Sequence, residues 1–121
     1  MGLQIMSLDT IFSILLFTNI QLGKCKMMMD INCSQAKQMI TDGAQLIDVR
    51  STNEYMQGAL PGATSIPLEM IGAANDMLEK DKPVILYCVT GSRSGIAKMA
   101  LQNLGFDNVH NLGSFRNFFA C

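Results

Sequence analysis

Apolar residues along the chain switch between runs, alternation and helical spacing, and each switch marks an element. The β-branched run Val84-Ile85-Leu86-Tyr87 reads as a buried strand. Gln45 to Val49, Thr64 to Ile66 and Val109 to Leu112 read as further strands. Between them the spacing turns helical. Asn32 or Ser34 caps a helix through Ile40 with Gly43 as its stop, and Thr52 to Met56 makes a helical turn ending at Gly58. Leu68 to Glu79 carries Ile71, Ala74 and Leu78 near helical spacing. Ser94 to Leu104 repeats apolar residues at Ile96, Ala97, Ala100, Leu101 and Leu104, with Gly105 placed to end it. Phe115 to Phe119 forms a last turn. The alternation predicts one α/β unit with a mostly parallel central sheet of about five strands and helices on both faces, because parallel neighbours need crossover connections.

Composition sets the outer limits. The 121 residues, 49% of them apolar, suffice for one modest core and one domain. That domain is expected over residues 27–121, behind an apolar leader or N-terminal extension at residues 1–26. Thr10 to Gly23 carry no charge and have the length of a signal-peptide core, short of a comfortable membrane span. No Lys or Arg precedes this run and no small-x-small cleavage site follows it, so cytoplasmic, exported and anchored placements all stay open. Membrane contact is expected only if the segment is retained. Nine Lys and Arg against ten Asp and Glu, with no basic block, leave no nucleic-acid footprint. The cysteines Cys25, Cys33, Cys88 and Cys121 form no Cys-x-x-Cys pair, and the single histidine is His110. Metal-site spacing is therefore absent, and neither a metal nor a cofactor is expected. With ample aliphatic residues, a disulfide framework is not expected either. Cys121 reads as a free terminal thiol, a resolving thiol being the alternative.

The chemistry concentrates in Cys88-Val89-Thr90-Gly91-Ser92-Arg93-Ser94. Cys88 leaves the central strand at its carboxyl end, where open α/β sheets bind ligands. Backbone N–H groups of a tight glycine-containing loop converge on an anion, and a helix opening near Ser94 adds its positive dipole end. Both favour a thiolate. The bland alternative is an inert buried thiol. Thr90 and Ser92 supply hydroxyls either to the reaction or to the loop backbone. Asp48 and Arg50, at another strand end, read as supporting residues that cap loops or pair, with Glu54 as a partner. His110 reads as a partly buried, satisfied histidine.

With the segments placed, Met29 to Phe119 resembles the rhodanese family of sulfurtransferases. Leu46-Ile47-Asp48-Val49-Arg50 with Glu54-Tyr55, Gly58-Ala59-Leu60-Pro61-Gly62-Ala63 with Ile66-Pro67, and the Cys88 loop match the family's blocks in order. Gly105-Phe106 and Asn111-Leu112-Gly113-Ser114 close the match. Two positions depart from it: Ala59 stands where many members have histidine, and Phe118 or Phe119 where tryptophan often packs.

The resemblance implies a rhodanese-like fold and double-displacement catalysis. Cys88 takes a sulfane sulfur from thiosulfate or a related persulfide or polysulfide, and cyanide or a thiol removes it. A thioredoxin-like or other acceptor protein is a candidate partner. Val89 to Ser94 would line the site, their amides stabilising the persulfide and Arg93 supplying charge for a dianionic donor. Phosphatases on this fold place five residues between cysteine and arginine. Here there are four, a cradle suited to a single sulfur atom. The reading from another class is a binding or redox-sensing module without catalysis.

Overall fold

A computed structural model describes residues 29–121, so the apolar segment at residues 1–26 lies outside the described residues. Four strands form one parallel sheet: β1 (Gln45–Asp48), β2 (Thr64–Ser65), β3 (Val84–Cys88) and β4 (Val109–Ser114), in spatial order β2-β1-β3-β4. The sheet has four strands rather than five among the described residues. Where a fifth strand would flank β4, Asp30 makes a single backbone bond to the Asn111 carbonyl, while its carboxylate accepts from the Asn111 N–H at 2.9 Å. A side chain thus takes the place of a ladder at that edge.

Alternation along β3 distributes its side chains to two cores. Val84, Leu86 and Cys88 join Ile47, Val49 and Phe106 on one face, and Ile85 and Tyr87 join Leu46, Leu60 and Leu112 on the other. The strand is buried throughout, as expected for a parallel strand covered on both sides. Helix α1 (Cys33–Thr41) covers the Tyr87 face through Ala36, Met39 and Ile40. Its start is fixed by a capping box, in which Asn32 accepts from the Gln35 N–H while the Gln35 side chain accepts from the Asn32 N–H. The short α2 (Thr52–Met56) uses Ser51 and Glu54 in the same way.

The Cys88 face is covered by α3 (Ser92–Asn103), through Ala97 and Leu101, and by residues Leu68–Asp76. A fully buried leucine such as Leu101 contributes about 1.5–3 kcal/mol. Two expectations are corrected here. Leu68–Asp76 is a 3-10 helix rather than an α-helix: Gly72 weakens helix propensity, and a three-residue repeat stacks Ile71 over Ala74 on the core. The helix after the loop opens at Ser92, not near Ser94, because Gly91 takes a left-handed φ of 101° and turns the chain two residues earlier. A second 3-10 helix, Phe115–Phe119, follows β4 and packs Phe115 and Phe118 against the Tyr87 face. Among the described residues no helix is long and apolar enough to cross a membrane.

Candidate active site

Cys88 ends β3 fully buried and is the free cysteine among the described residues. The left-handed turn at Gly91 folds the loop back over the strand end. The backbone N–H of Gly91 then donates to Cys88 Sγ at 3.0 Å and that of Ser94 at 3.4 Å, with Ser94 Oγ also at 3.4 Å. Burial alone pushes the thiol pKa up. Hydrogen bonds from the Ser94 hydroxyl and from the Ser94, Gly91 and Thr90 backbones outweigh it, so the net shift is below the ordinary thiol value. The first turn of α3 lies against the same sulfur and adds its dipole.

Ser94 is buried and has one hydroxyl proton for two acceptors, Cys88 Sγ and Asn111 Oδ1, the latter at 2.7 Å. Asn111 Oδ1 also receives the Gly113 N–H at 2.8 Å. The hydroxyl can therefore turn to a thiolate without leaving the amide oxygen bare. Asn111 also donates from Nδ2 to the Gly91 carbonyl at 3.2 Å, tying the loop to β4. Its position follows from the register, which shifts between Leu86 and Tyr87 and keeps Asn111 opposite Leu86 on the Cys88 face. Sequence reading missed Asn111 because an asparagine in a strand signals nothing until its partner is known.

Other loop side chains serve the loop itself. Thr90 Oγ1 and Ser92 Oγ are 3.0 Å apart, and the Ser92 N–H meets Thr90 Oγ1 at 3.3 Å. Val89 is half-buried. Arg93 is not a free cation. Its two terminal nitrogens donate to both carboxylate oxygens of Glu54, at 2.7 and 3.1 Å. The Arg93 guanidinium, with the Ser51 N–H, holds the Glu54 pKa down at about 2. The same pairing raises the Arg93 pKa. A bidentate fork is the geometry arginine offers a carboxylate, and α2 places Glu54 within its reach.

The sequence pattern of the Rhodanese-like domain matches residues 32–121, three quarters of the chain. The chain belongs to the rhodanese-like domain family. It is 36% identical over 73 residues to thiosulfate sulfurtransferase PspE of Escherichia coli, covering 59% of this chain and 70% of that protein. It is 35% identical over 72 residues to a sulfurtransferase of Allochromatium vinosum, covering 60% and 67%. The human single-domain sulfurtransferase TSTD1 superposes with a TM-score of 0.63 at 25% identity, covering 74% of this chain and 94% of that one. The chain spans 60% of the length of a Bacillus subtilis relative, YqhL, that is 42% identical over 76 residues.

In this rhodanese-like domain Asp48 and Arg50 lie on the sheet face opposite Cys88, and Arg50 pairs with Asp48 rather than Glu54. Arg50 donates from Nη2 to Asp48 at 2.6 Å and to the Gly58 carbonyl at 2.6 Å, and from Nε to both Asp48 oxygens. Tyr87 adds its hydroxyl to Asp48 at 2.7 Å, its pKa raised by burial and then by Asp48. The hydrogen bond to Asp48 raises that of Arg50 in turn. Short sequence separation decides the pairing: just past the end of β1 the Arg50 backbone N–H donates to Asp48 Oδ1 at 2.9 Å, and this turn brings the guanidinium back onto the same carboxylate. The network pins the Gly58-to-Leu60 turn, since Tyr87 Oη also accepts the Leu60 N–H at 3.0 Å.

A cleft of about 470 Å³ opens beside this network, lined by Arg50, Glu54, Gln57, Leu60, Phe115 and Phe119. Cys88 itself does not line it; Glu54 connects it to the loop through Arg93. His110 stays apart on β4, its ring nitrogen 2.6 Å from Asn108, and burial lowers its pKa. Cys121 is not a free thiol: it forms a disulfide with Cys33, the Cα atoms 5.6 Å apart. The closing 3-10 helix carries the terminus back to the start of α1, a proximity that sequence spacing does not reveal. The Phe118 carbonyl lies 3.0 Å from Cys33 Sγ, a packing contact, since a disulfide sulfur has no proton to donate. No group of three or more His, Cys, Asp or Glu among the described residues is arranged to hold a metal.

Proposed function

We propose that the protein is a sulfurtransferase in which Cys88 carries a sulfane sulfur between two substrates. The observation that carries this reading is the convergence of the Gly91 N–H, the Ser94 N–H and the Ser94 hydroxyl on one buried sulfur. The Cys88 thiolate attacks the outer sulfur of thiosulfate, or of a persulfide or polysulfide. That sulfur's bond to the rest of the donor breaks, its electron pair leaving with sulfite or a thiolate. The Cys88 persulfide then bears negative charge on its outer sulfur, and fixed dipoles stabilise it without reorganising. In the second step cyanide or a thiol, of a small molecule or an acceptor protein, attacks the outer sulfur and the Cys88 thiolate leaves. Electrons and atoms balance with no cofactor.

The four residues between Cys88 and Arg93 favour sulfur over phosphate as the ligand, since the donors already reach a single atom. The related names sulfurtransferase and thiosulfate sulfurtransferase support the same class. Steady-state kinetics with thiosulfate and cyanide test it. Parallel lines in double-reciprocal plots, with activity abolished in Cys88→Ser, are expected. Intersecting lines, or a Cys88→Ser protein that retains turnover, would exclude a covalent carrier at this residue.

A further inference from the structure

The charges around the Cys88 loop and the walls of the adjoining cleft constrain the donor more closely. Resting on the sulfurtransferase reading above, we propose that the preferred donor is an organic persulfide, R–S–SH, whose apolar group R sits against Leu60, Phe115 and Phe119, rather than an inorganic dianion.

The charge at the loop comes first. Arg93 places its two terminal nitrogens on both oxygens of Glu54, and Arg50 is matched by Asp48. Arg93 and Arg50 therefore both enter the reaction paired with a carboxylate. A dianion approaching Arg93 also approaches the Glu54 carboxylate, which stays ionised at neutral pH. Attraction and repulsion nearly cancel, so a second negative charge gains nothing and loses its hydration. A donor with at most one charge avoids that loss.

Shape supplies the second constraint. The cleft's volume, about 470 Å³, lies in the range of small-molecule sites. Leu60 forms its buried apolar floor, and the rings of Phe115 and Phe119 stand at its side. Ala59 offers only a methyl at the rim, leaving the mouth wide. Glu54 lines the cleft and holds Arg93 of the loop, so in this proposal R occupies the cleft with its sulfur end toward Cys88. Thiosulfate has no apolar part to set against these walls.

The transfer balances without a further reactant. Cys88–S⁻ and R–S–SH give Cys88–S–SH and R–S⁻: the donor S–S bond breaks with its electron pair on the departing R–S⁻, the new S–S bond forms, and the proton stays on the transferred sulfur.

The test compares rates of Cys88 sulfur loading, read by intact mass, for freshly released benzyl persulfide, methyl persulfide and thiosulfate. The expected order is benzyl, then methyl, then thiosulfate. Phe119→Ser should lower the benzyl-to-methyl ratio about tenfold, by loss of an apolar wall. Glu54→Gln should raise thiosulfate relative to methyl persulfide about tenfold, by removing the opposing charge. In the unaltered protein, added salt should speed thiosulfate loading relative to benzyl persulfide, because with both guanidiniums paired the charge that a dianion meets is that of the Cys88 thiolate, a reading independent of whether either variant folds. Thiosulfate loading as fast as benzyl persulfide, or ratios unmoved by salt and by both substitutions, would overturn the donor assignment. Loading by none of the three would instead overturn the sulfurtransferase reading beneath it.

Discussion

In the proposed mechanism Cys88 and Ser94 act as a pair, and their coupling is a matter of one proton. The serine hydroxyl lies within reach of both Asn111 Oδ1 and Cys88 Sγ, so it is free to turn to the sulfur when the thiol ionises, with Gly113 keeping the amide oxygen satisfied. Because the Cys88 pKa is lowered, persulfide loading should rise with pH and level off below the pH at which an ordinary thiol, titrating near about 8.5, would do so. Ser94→Ala removes a charge-assisted donor. Its loading rate at neutral pH should fall about tenfold, and the midpoint of its pH profile should move upward, measured by sulfur incorporation across pH. A midpoint unchanged from the parent would show that the two backbone amides suffice. At this scale the sequence was legible for the loop cysteine and the amides around it, and illegible for the side chains that Arg93 and Ser94 engage. The cysteine, glycine and arginine of the loop announce themselves by type and spacing. The roles of Glu54 and Asn111 depend on strand register and on α2, which only the folded chain specifies.

Among the elements, the loop-to-helix junction matters most for function. Gly91 is at once the left-handed turn, the residue before the first turn of α3 and a donor to Sγ. Gly91→Ala places a Cβ in a conformation that costs an L-residue about 1–2 kcal/mol. Relief of that strain should rotate its N–H away from the sulfur. The expected result is a stability loss of that size by denaturant melting, with a larger loss in loading than Ser94→Ala shows. The order of elements could be read from hydrophobic spacing, including α1, α2 and the buried β3. Helix type and boundary were less legible. The 3-10 geometry of Leu68–Asp76 and the start of α3 at Ser92 both follow from local glycine placement competing with packing on the sheet. A window of apolar spacing averages over that competition.

For the molecule as a whole, two cores lie on opposite faces of a four-stranded sheet, and the Cys33–Cys121 disulfide joins the two helices that cover the Tyr87 face. Composition gave no reason to expect this bond, since the apolar content suffices for a core without one. It ties the terminal 3-10 helix, whose Phe115 and Phe119 wall the cleft, to the start of α1. The bridged residues are 88 apart, so the constraint acts mainly on the unfolded chain. Cys121→Ser should lower the unfolding free energy by about 2–4 kcal/mol under non-reducing conditions, and a reducing agent should bring the unaltered protein to the same value. The proposed role of Cys88 as sulfur carrier is decided by intact-mass and peptide-level mass spectrometry after exposure to a sulfane donor under conditions that keep the disulfide closed. A sulfur carrier at Cys88 gains one sulfur atom, located on the peptide that contains Cys88 and removed by a thiol or cyanide. An unmodified Cys88 at saturating donor, or added sulfur found only at Cys33 or Cys121, would contradict it.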